Sequence, residues 1–304
     1  MMIVANVVAL LVMPFLLSGV IQRTKSLWSG RKGPPIFQLL FDVRRLVRKA
    51  PVYSSTTTAM FYLGPQVFLV TAVGSAVLTP LLGAAPLVSF HFDFVWFAYV
   101  WGLGRVAIML AALDTGSSFE GMGASREALF SSLLEPALFM VIGTLSFLSG
   151  STTLANALAF HVHDAPHVAA WLAAIGALVI VLQVEVSRMP VDDPSTHLEL
   201  TMVHEVMVLD HSGVDLAAVQ LASAIKLYVC ASIIATLLNP WAGAATWVCV
   251  VANLACTVVI AVAVASIESL TARLKMQTVP QYIVIAFAAG AVALLAAVWQ
   301  AGVS

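Results

Sequence analysis

Long apolar runs alternate with short polar segments along almost the whole chain. Eight of these runs have the length of roughly 20 residues that an α-helix needs to cross a bilayer. They cover about 2–21, 60–83, 93–113, 128–150, 168–187, 217–238, 242–266 and 281–300. The first run lacks the basic start and the cleavage site of a signal peptide, so we interpret it as a retained span. The pattern predicts an all-α integral membrane protein with about eight transmembrane helices.

The composition excludes a soluble globular protein and a disordered one. Of the 304 residues, 61% are hydrophobic and 10% are charged, whereas a soluble domain has about 25% charged residues. A disordered chain would need low hydrophobicity together with high net charge. The 14 basic and 15 acidic residues nearly balance. We therefore expect a lipid bilayer around the chain and no nucleic acid as a partner.

The sequence also argues against a soluble-type active site and against a metal site. The cysteines, Cys230, Cys249 and Cys256, lie in apolar runs and form no CxxC pair, so we expect no disulfide framework, zinc or iron–sulfur cluster. The sequence has no GxSxG, P-loop or HExxH motif. We predict that this chain holds no catalytic centre and no metal of its own.

The basic residues predict which ends of the spans face the cytoplasm. Positively charged loops stay on the cytoplasmic side, and the segment after the first span is rich in Lys and Arg, with Asp42 its one acid. The later loop bases fall on the same side when eight spans alternate: Arg126, Arg188, Arg273 and Lys275. We therefore expect both termini on the outer side. The expected cytoplasmic loops cover about 22–58, 114–127, 188–216 and 267–280.

No repeat, low-complexity tract or linker divides the chain, so we predict a single transmembrane domain over 1–304. Within the first loop, residues 36–50 alternate apolar and basic positions at helical spacing. One face carries Ile36, Leu39, Leu40, Val43, Leu46 and Val47, and the other carries Arg44, Arg45, Arg48 and Lys49. This pattern predicts an amphipathic interfacial helix. It either rests on anionic lipid or also frames a cavity or docks a partner, and both interpretations stay open.

Four ionisable residues fall inside the predicted spans: Arg105, Glu135, Glu185 and Lys226. Such residues are costly in a membrane and are functional candidates for that reason. They either form structural ion pairs or line a hydrated path for protons, and we favour the path. Helical spacing lets Glu127 and Glu135 face one polar cavity, places Arg126 and Glu135 on opposite faces, and places Glu185 and Arg188 on one face.

The inner loop before the sixth span predicts a further helix. Asp193 and Pro194 form a typical helix start, and Gly213 ends the run, so we expect a helix over about 194–210. Its histidines, His197, His204 and His211, would form a stripe spaced about 10 Å apart, too far for one metal. They are either relay stations or a face toward a soluble partner, and we favour the partner. The outer group of His161, His163, Asp164 and His167 predicts a solvated loop.

Three stretches carry a resemblance to a known family. The first is Arg31-Lys32-Gly33-Pro34 with Gln38 and Asp42, and the second is LDTGSSFEGMGASREALFSSLLEP over 113–136. The third runs from Glu185 through Arg188-Met189-Pro190-Val191-Asp192 to Glu199-Leu200. Together they resemble the subunit-1 family of respiratory complex I. The resemblance is closer to that subunit's counterpart in membrane-bound group 4 hydrogenases and formate hydrogenlyase, of the hydrogenase-4 component C type.

The resemblance implies a membrane anchor and proton or charge-relay coupling subunit of a redox-driven complex in the cytoplasmic (inner) membrane of a prokaryote. It implies no cofactor in this chain. Iron–sulfur clusters, with nickel–iron in the hydrogenase branch, would lie in hydrogenase-like large and small subunits docked on the inner loops. Antiporter-like membrane subunits would be further partners. The alternatives are a purely structural anchor, a quinone-binding complex I-like subunit and, less favoured, a stand-alone transporter.

The resemblance also assigns candidate roles to particular residues. Glu135 and Glu185 would be the central relay acids, and Glu127, Asp192 and Glu199 an acidic entrance. Arg126 and Arg188 would tune these acids by opposite charge. Asp114 and Lys226 complete the relay candidates. The candidate loop for quinone binding or partner docking comprises Arg31, Gly33, Pro34, Gln38, Asp42, Arg44 and Arg45.

Overall fold

The computed structural model describes residues 2–159, 165–192, 202–241 and 244–303, and within these ranges the regular structure is helical. The first six helices are α1 (Met2–Trp28), α2 (Gln38–Val47), α3 (Ala59–Leu78), α4 (Asp93–Asp114), α5 (Ser118–Ser149) and α6 (Leu154–Leu158). They are followed by α7 (Ala165–Glu185), α8 (His204–Met207), α9 (Gly213–Leu238), α10 (Thr246–Leu270) and α11 (Val279–Val303). Eight of them, α1, α3, α4, α5, α7, α9, α10 and α11, are long and apolar enough to span a membrane. The predicted all-α fold with eight spans is confirmed.

Helix α9 forms the centre of the bundle. It is the most buried of the eight spans, and α1, α3, α7 and α10 all pack against it. The spans α3 and α4 form one close pair, while α11 packs against both α5 and α7. Helices α3 and α7 thus lie on α9, while α4 packs on α3 and α5, and α5 packs on α7. The charged side chains described below lie between these helices.

Helix α2 confirms the predicted amphipathic helix. It packs against α1 and α9, with Leu46 buried and with Arg44 and Arg45 exposed. Leu40 and Val47 of its apolar face are exposed, so this face covers the interior of the protein only in part. Its placement at a lipid interface, and the side of the membrane that each terminus faces, stay predictions.

The structure corrects the inner boundaries predicted from the sequence. Helix α5 begins at Ser118 rather than at 128, so Arg126 and Glu127 lie within the helix and not in a loop over 114–127. Helix α7 ends at Glu185, and Ser187 has a positive φ of 48°. The chain turns away at this point, so Glu185 and Arg188 do not share a helix face.

The predicted inner helix over 194–210 is also wrong in its described part. Met202 and Val203 are not helical, and only the short α8 follows them. The physical reason is the carboxylate of Asp192, which accepts hydrogen bonds from the backbone N–H groups of Val203 (3.1 Å) and His204 (3.2 Å). These bonds satisfy the first N–H groups of a helix that starts at His204, where the sequence suggested a start at Asp193. The predictions for His197, Glu199 and the group around His161 lie outside the described residues.

Close helix packing gives a first testable prediction. A Cβ added at Gly64 on α3 would lie 2.5 Å from the Cβ of Ala111 and 2.8 Å from the carbonyl oxygen of Ala107 on α4. Small residues let membrane helices approach this closely. We expect Gly64→Ala to destabilise the protein by about 1–3 kcal/mol through overpacking, measured as a lower melting temperature in detergent.

The matched control is Gly143→Ala on α5, where an added Cβ would have no atom within 4 Å. This variant should keep the melting temperature of the parent or raise it slightly, because alanine favours a helix more than glycine does. Equal melting temperatures for the two variants would contradict the packing described here.

Candidate functional site

Arg105 on α4 lies at the centre of a buried charge cluster. Its Nη2 atom is 2.9 Å from Oε1 of Glu135 on α5, and its Nη1 atom is 3.0 Å from Oε1 of Glu185 on α7. The side chain of Arg105 is only 6% exposed. The planar fork of a guanidinium allows one cation to reach two carboxylates in this way. Arg105 thus joins three spans through charge.

Glu185 has the largest number of charged and polar neighbours in the cluster. Besides Arg105, the Nζ atom of Lys226 on α9 is 3.4 Å from its Oε2 atom, and the indole Nε1 of Trp101 donates to the same oxygen. The Lys226 ammonium also lies 4.9 Å from the ring centroid of Phe68 and 4.7 Å from that of Trp101. Aromatic faces favour a cation at this distance. The buried lysine is therefore stabilised by one carboxylate and two rings.

A third acid completes the cluster. Ser131 donates a hydrogen bond of 3.4 Å to Oε1 of Glu127, one helical turn earlier on α5. Arg105, Glu185 and Lys226 all lie within electrostatic range of the Glu127 carboxylate. The sequence-based expectation that Glu127 and Glu135 face one polar region agrees with this placement. Three acids and two bases (three negative and two positive charges) leave an excess of one negative charge, which one proton would neutralise.

Glu135 differs from the other members of the cluster in its exposure. Its side chain is 47% exposed, whereas that of Glu185 is 2% exposed. One oxygen contacts Arg105 inside the bundle, and the remainder of the carboxylate faces the outer surface of a membrane span. The cluster therefore reaches from the interior of this chain to its lateral face.

Three further ion pairs, in two groups, tie the inner loops to the spans. Arg273, before α11, lies 2.8 Å from Oδ1 of Asp192, and the backbone N–H of Leu274 donates to the Pro190 carbonyl at 2.9 Å. Together with the hydrogen bonds from Val203 and His204, the ion pair with Arg273 anchors the inner loop at Asp192.

The other group centres on Glu268 at the inner end of α10. Its carboxylate lies 3.1 Å from Lys25 at the end of α1 and 3.4 Å from Arg188 after α7. The sequence predicts a loop at Glu268, because the apolar run ends before this residue. In the structure helix α10 continues through Glu268 to Leu270. Its position next to the predicted seventh span was the one available signal.

A cavity of about 340 Å³ lies between these inner groups and α9. Its wall is formed by α1, α2, the segment after α7, α8 and α9. The charged or titratable side chains among its lining residues are Lys25, Asp42, Arg188, Asp192, His204 and Glu205. His204 is half-buried, with Nε2 3.5 Å from the Ser223 hydroxyl on α9. A space of this size and polarity can hold several water molecules.

The structure separates the predicted tuning cations from Glu135 and Glu185. Arg188 pairs with Glu268, and Arg126 donates to the Met202 carbonyl at 2.8 Å. Arg105 is the cation that contacts Glu135 and Glu185, while Arg126 lies within electrostatic range of Asp192, one of the predicted entrance acids. Sequence spacing within one helix carries no information about Arg105, whose partners come from two other spans.

Other predicted site residues lie away from the cluster. Asp114 accepts hydrogen bonds from the backbone N–H and the hydroxyl of Thr58, at 2.6 and 2.8 Å, and so holds the start of α3. In the candidate docking loop, Gln38 and Arg45 both contact the carboxylate of Asp42, which lines the cavity.

The remaining docking-loop residues divide between packing and surface. A Cβ at Gly33 would meet the Ser26 hydroxyl at 2.9 Å, so glycine permits the loop to lie against the end of α1. Pro34 is half-buried, and Arg31 is exposed. Arg44 and Arg45 belong to an exposed basic surface with Arg48 and Lys49.

The cluster geometry gives a second prediction. Arg105→Gln should lower stability by about 3 kcal/mol, because it removes one of the two cations that compensate the buried carboxylate of Glu185. Adding Glu185→Gln should recover part of this loss, since the two side chains are in contact. Melting temperatures in detergent measure both effects. Arg44→Gln on the exposed face of α2 is the control and should change stability by less than about 0.5 kcal/mol. If Arg44→Gln lowered stability as much as Arg105→Gln does, Arg105 would not be bridging the two acids.

The inner histidines predict a pH dependence. Burial, with a smaller effect of the Lys226 charge, lowers the pKa of His204 from 6.5 to about 4. Burial also lowers the pKa of His211, against the opposing effect of Asp215. Between pH 6.5 and 4 the unfolded state binds more protons than the folded state, so stability is fully present above this window and falls as the pH decreases through it.

In that window each of these histidines lowers the free energy of unfolding by at most about 1.4 kcal/mol for each pH unit of acidification. Melting temperatures recorded from pH 7.5 downward in the same detergent measure the slope. His204→Gln should make it shallower. A slope unchanged by this substitution would show that His204 is not buried in the neutral form.

Comparison with known proteins supports the resemblance seen in the sequence motifs. The NADH dehydrogenase family model matches residues 1–299. Hydrogenase-4 component C of Escherichia coli (strain K12) is 29% identical over 240 residues, which are 78% of this chain and 74% of that protein. Formate hydrogenlyase subunit 4 of the same organism is 25% identical over 277 residues, 88% of each chain.

A solved structure has the same fold. A chain of the membrane-bound sulfane sulfur reductase, an archaeal respiratory membrane complex, superposes with a TM-score of 0.82 at 17% identity and with 97% of both chains covered. The fold match extends over all eight spans, and the family match extends over nearly the whole sequence. The chain described here therefore belongs to the NADH dehydrogenase family, as the resemblance to complex I subunit 1 predicted.

Proposed function

We propose that this chain is the membrane anchor and proton or charge-relay coupling subunit of a multi-subunit redox complex of the complex I and group 4 hydrogenase type. The family match supports the class of complex. The names of the two relatives, a hydrogenase-4 component and a formate hydrogenlyase subunit, support the hydrogenase branch.

The observation that carries the relay is the charge balance of the cluster. Glu127, Glu135 and Glu185 face two permanent or near-permanent cations in the interior of a membrane bundle. An uncompensated charge is costly there, so one proton bound within the cluster would neutralise the excess. Coupled carboxylates titrate as one unit, so a change in the local electric field would move the proton from one carboxylate to another.

The proposed partners follow from the two ends of the cluster. A soluble arm with hydrogenase-like large and small subunits would dock on the inner loops and hold the iron–sulfur clusters, with nickel–iron in the large subunit. An electron arriving in that arm would draw the shared proton toward the inner loops and leave Glu135 ionised. The half-exposed carboxylate of Glu135 would then act on an adjacent, antiporter-like membrane subunit. The proposed location is the cytoplasmic (inner) membrane of a prokaryote.

A purely structural anchor is the second candidate, because one observation favours it. Glu185 contacts Arg105, Lys226 and Trp101 together, which is the pattern of a structural ion network. In that case the charges hold α4, α5, α7 and α9 together and no proton moves among them. A buried network of this kind stabilises only as a complete set, since removal of one partner leaves a charge uncompensated.

A quinone site is less well supported. The inner cavity adjoins the candidate docking loop through Asp42, as a quinone chamber would require. Its wall, however, carries six charged or titratable side chains, which favour water, beside aliphatic ones such as Leu216 and Val219. We therefore assign the cavity to water rather than to quinone in this proposal.

The relay predicts a specific failure in the double variant Glu135→Gln with Glu185→Gln. The intact complex should assemble and transfer electrons to an artificial acceptor, while proton translocation falls by about tenfold or more through loss of the titrating groups. The measurement is redox-driven acidification or alkalinisation of proteoliposomes, reported per electron.

Asp114→Asn is the matched control, because Asp114 is a carboxylate outside the cluster. It should leave the ratio of protons to electrons unchanged. Normal coupling in the double variant would overturn the relay. A lower yield and melting temperature of the complex, with an unchanged ratio in the remaining assembled fraction, would favour the structural anchor.

A further inference from the structure

His204 lies between the inner cavity and the buried charge cluster. Its side chain is among the lining residues of the cavity, and its Nε2 atom is 3.5 Å from the Ser223 hydroxyl on α9. Ser223 precedes Lys226 by three residues on the same helix, so the two side chains lie on one face of α9. The imidazole therefore connects a space open to water with the helix face that holds Lys226.

Phe68 shows how near the imidazole is to the cluster. The ring centroid of Phe68 is 6.0 Å from that of His204 and 4.9 Å from Nζ of Lys226. Phe68 is 2% exposed. Imidazole and ammonium thus lie around one buried aromatic ring, with the Ser223 hydroxyl beside them.

We propose that His204 is the proton-input residue of the relay, and that it carries protons from the inner cavity through Ser223 to the Lys226–Glu185 pair. This inference rests on the proposed relay function and names the residue through which the relay is loaded. It concerns a side chain that the family motifs quoted above do not include.

The transfer balances as one proton in and one proton out at each group. A hydronium ion in the cavity gives a proton to one ring nitrogen and is left as water, while the other nitrogen releases its proton to the Ser223 oxygen. The serine hydroxyl passes its own proton to Lys226, which has given one of its protons to the Glu185 carboxylate. The net change is one proton moved from the cavity to Glu185, with His204, Ser223 and Lys226 unchanged in charge.

The charges around His204 suit a neutral imidazole in this role. Burial lowers its pKa to about 4, so at neutral pH one nitrogen accepts and the other donates. The charged groups that line the cavity with it or lie near it on α5 and α9 are Lys25, Asp42, Arg188, Asp192, Glu205, Arg126, Glu127 and Lys226. Asp192 accepts from its backbone N–H and so fixes the position of the residue.

His211 provides a matched control in the same inner segment. It stacks on Phe61 with ring centroids 4.1 Å apart, and it is not among the lining residues of the cavity. Burial lowers the pKa of both histidines. A difference between them in proton transfer therefore reports the position of His204 and not the mere loss of a buried imidazole.

The test is chemical rescue in the intact complex, purified with its partner subunits and reconstituted in proteoliposomes. His204→Ala should slow redox-driven proton translocation by about tenfold or more and leave electron transfer to an artificial acceptor unchanged. Imidazole added to the buffer should restore part of the translocation, since the substitution enlarges a cavity already open to small molecules. Ser223→Ala should slow translocation without any response to imidazole. His211→Ala should leave translocation nearly unchanged.

His204→Asn, which keeps a polar side chain of similar size, serves if the alanine variant assembles poorly. Full translocation in either His204 variant would overturn the inference, and so would a loss that imidazole fails to restore in an assembled His204→Ala complex. The Glu135 and Glu185 double variant separates the two levels. If that variant couples normally, the relay itself is wrong; if it uncouples and the His204 variants do not, only the input residue is wrong.

Discussion

A guanidinium inside a membrane bundle is stable only where carboxylates compensate its charge. The position of Arg105 therefore constrains how α4, α5 and α7 are arranged. Each of its two terminal nitrogens binds a carboxylate from a different helix. The two carboxylates fix their own helices in turn, and Glu185 recruits Lys226 from the central α9. Apolar packing sets which spans are neighbours, but it tolerates rotation of one helix against another. The charge cluster removes that freedom, since a rotated helix would leave a charge in hydrocarbon.

The same constraint links stability to the proposed function. A cluster with more acids than bases is less stable than a balanced one, and in the proposed relay this excess negative charge would bind the movable proton. The structural network around Glu185 and the half-exposed carboxylate of Glu135 are thus two ends of one arrangement. The charge of Glu185 is compensated by cations of this chain. About half of the Glu135 side chain is exposed and can contact another subunit.

The spans, their number and the amphipathic helix could all be predicted from the sequence, because the bilayer imposes a length and a polarity that a single segment reports. The acids of the charge cluster could be predicted in part, since an acid in an apolar run stands out. The partner of those acids could not be predicted, because Arg105 meets them across helices. Glu268 was overlooked because the apolar pattern ends before its helix does. The start of α8 was misplaced because Asp192 caps it from outside the local motif.

The contacts of Asp192 also join two distant parts of the chain mechanically. This carboxylate holds the start of α8 on one side and Arg273 on the other, and Arg273 leads directly into the last span. That span packs along α5 and α7, which bear Glu135 and Glu185. The inner loop and the segment that leads into the last helix are therefore joined through one carboxylate. Because α11 packs on the two helices that carry the partners of Arg105, the contacts of Asp192 lie only one helix away from the charge cluster.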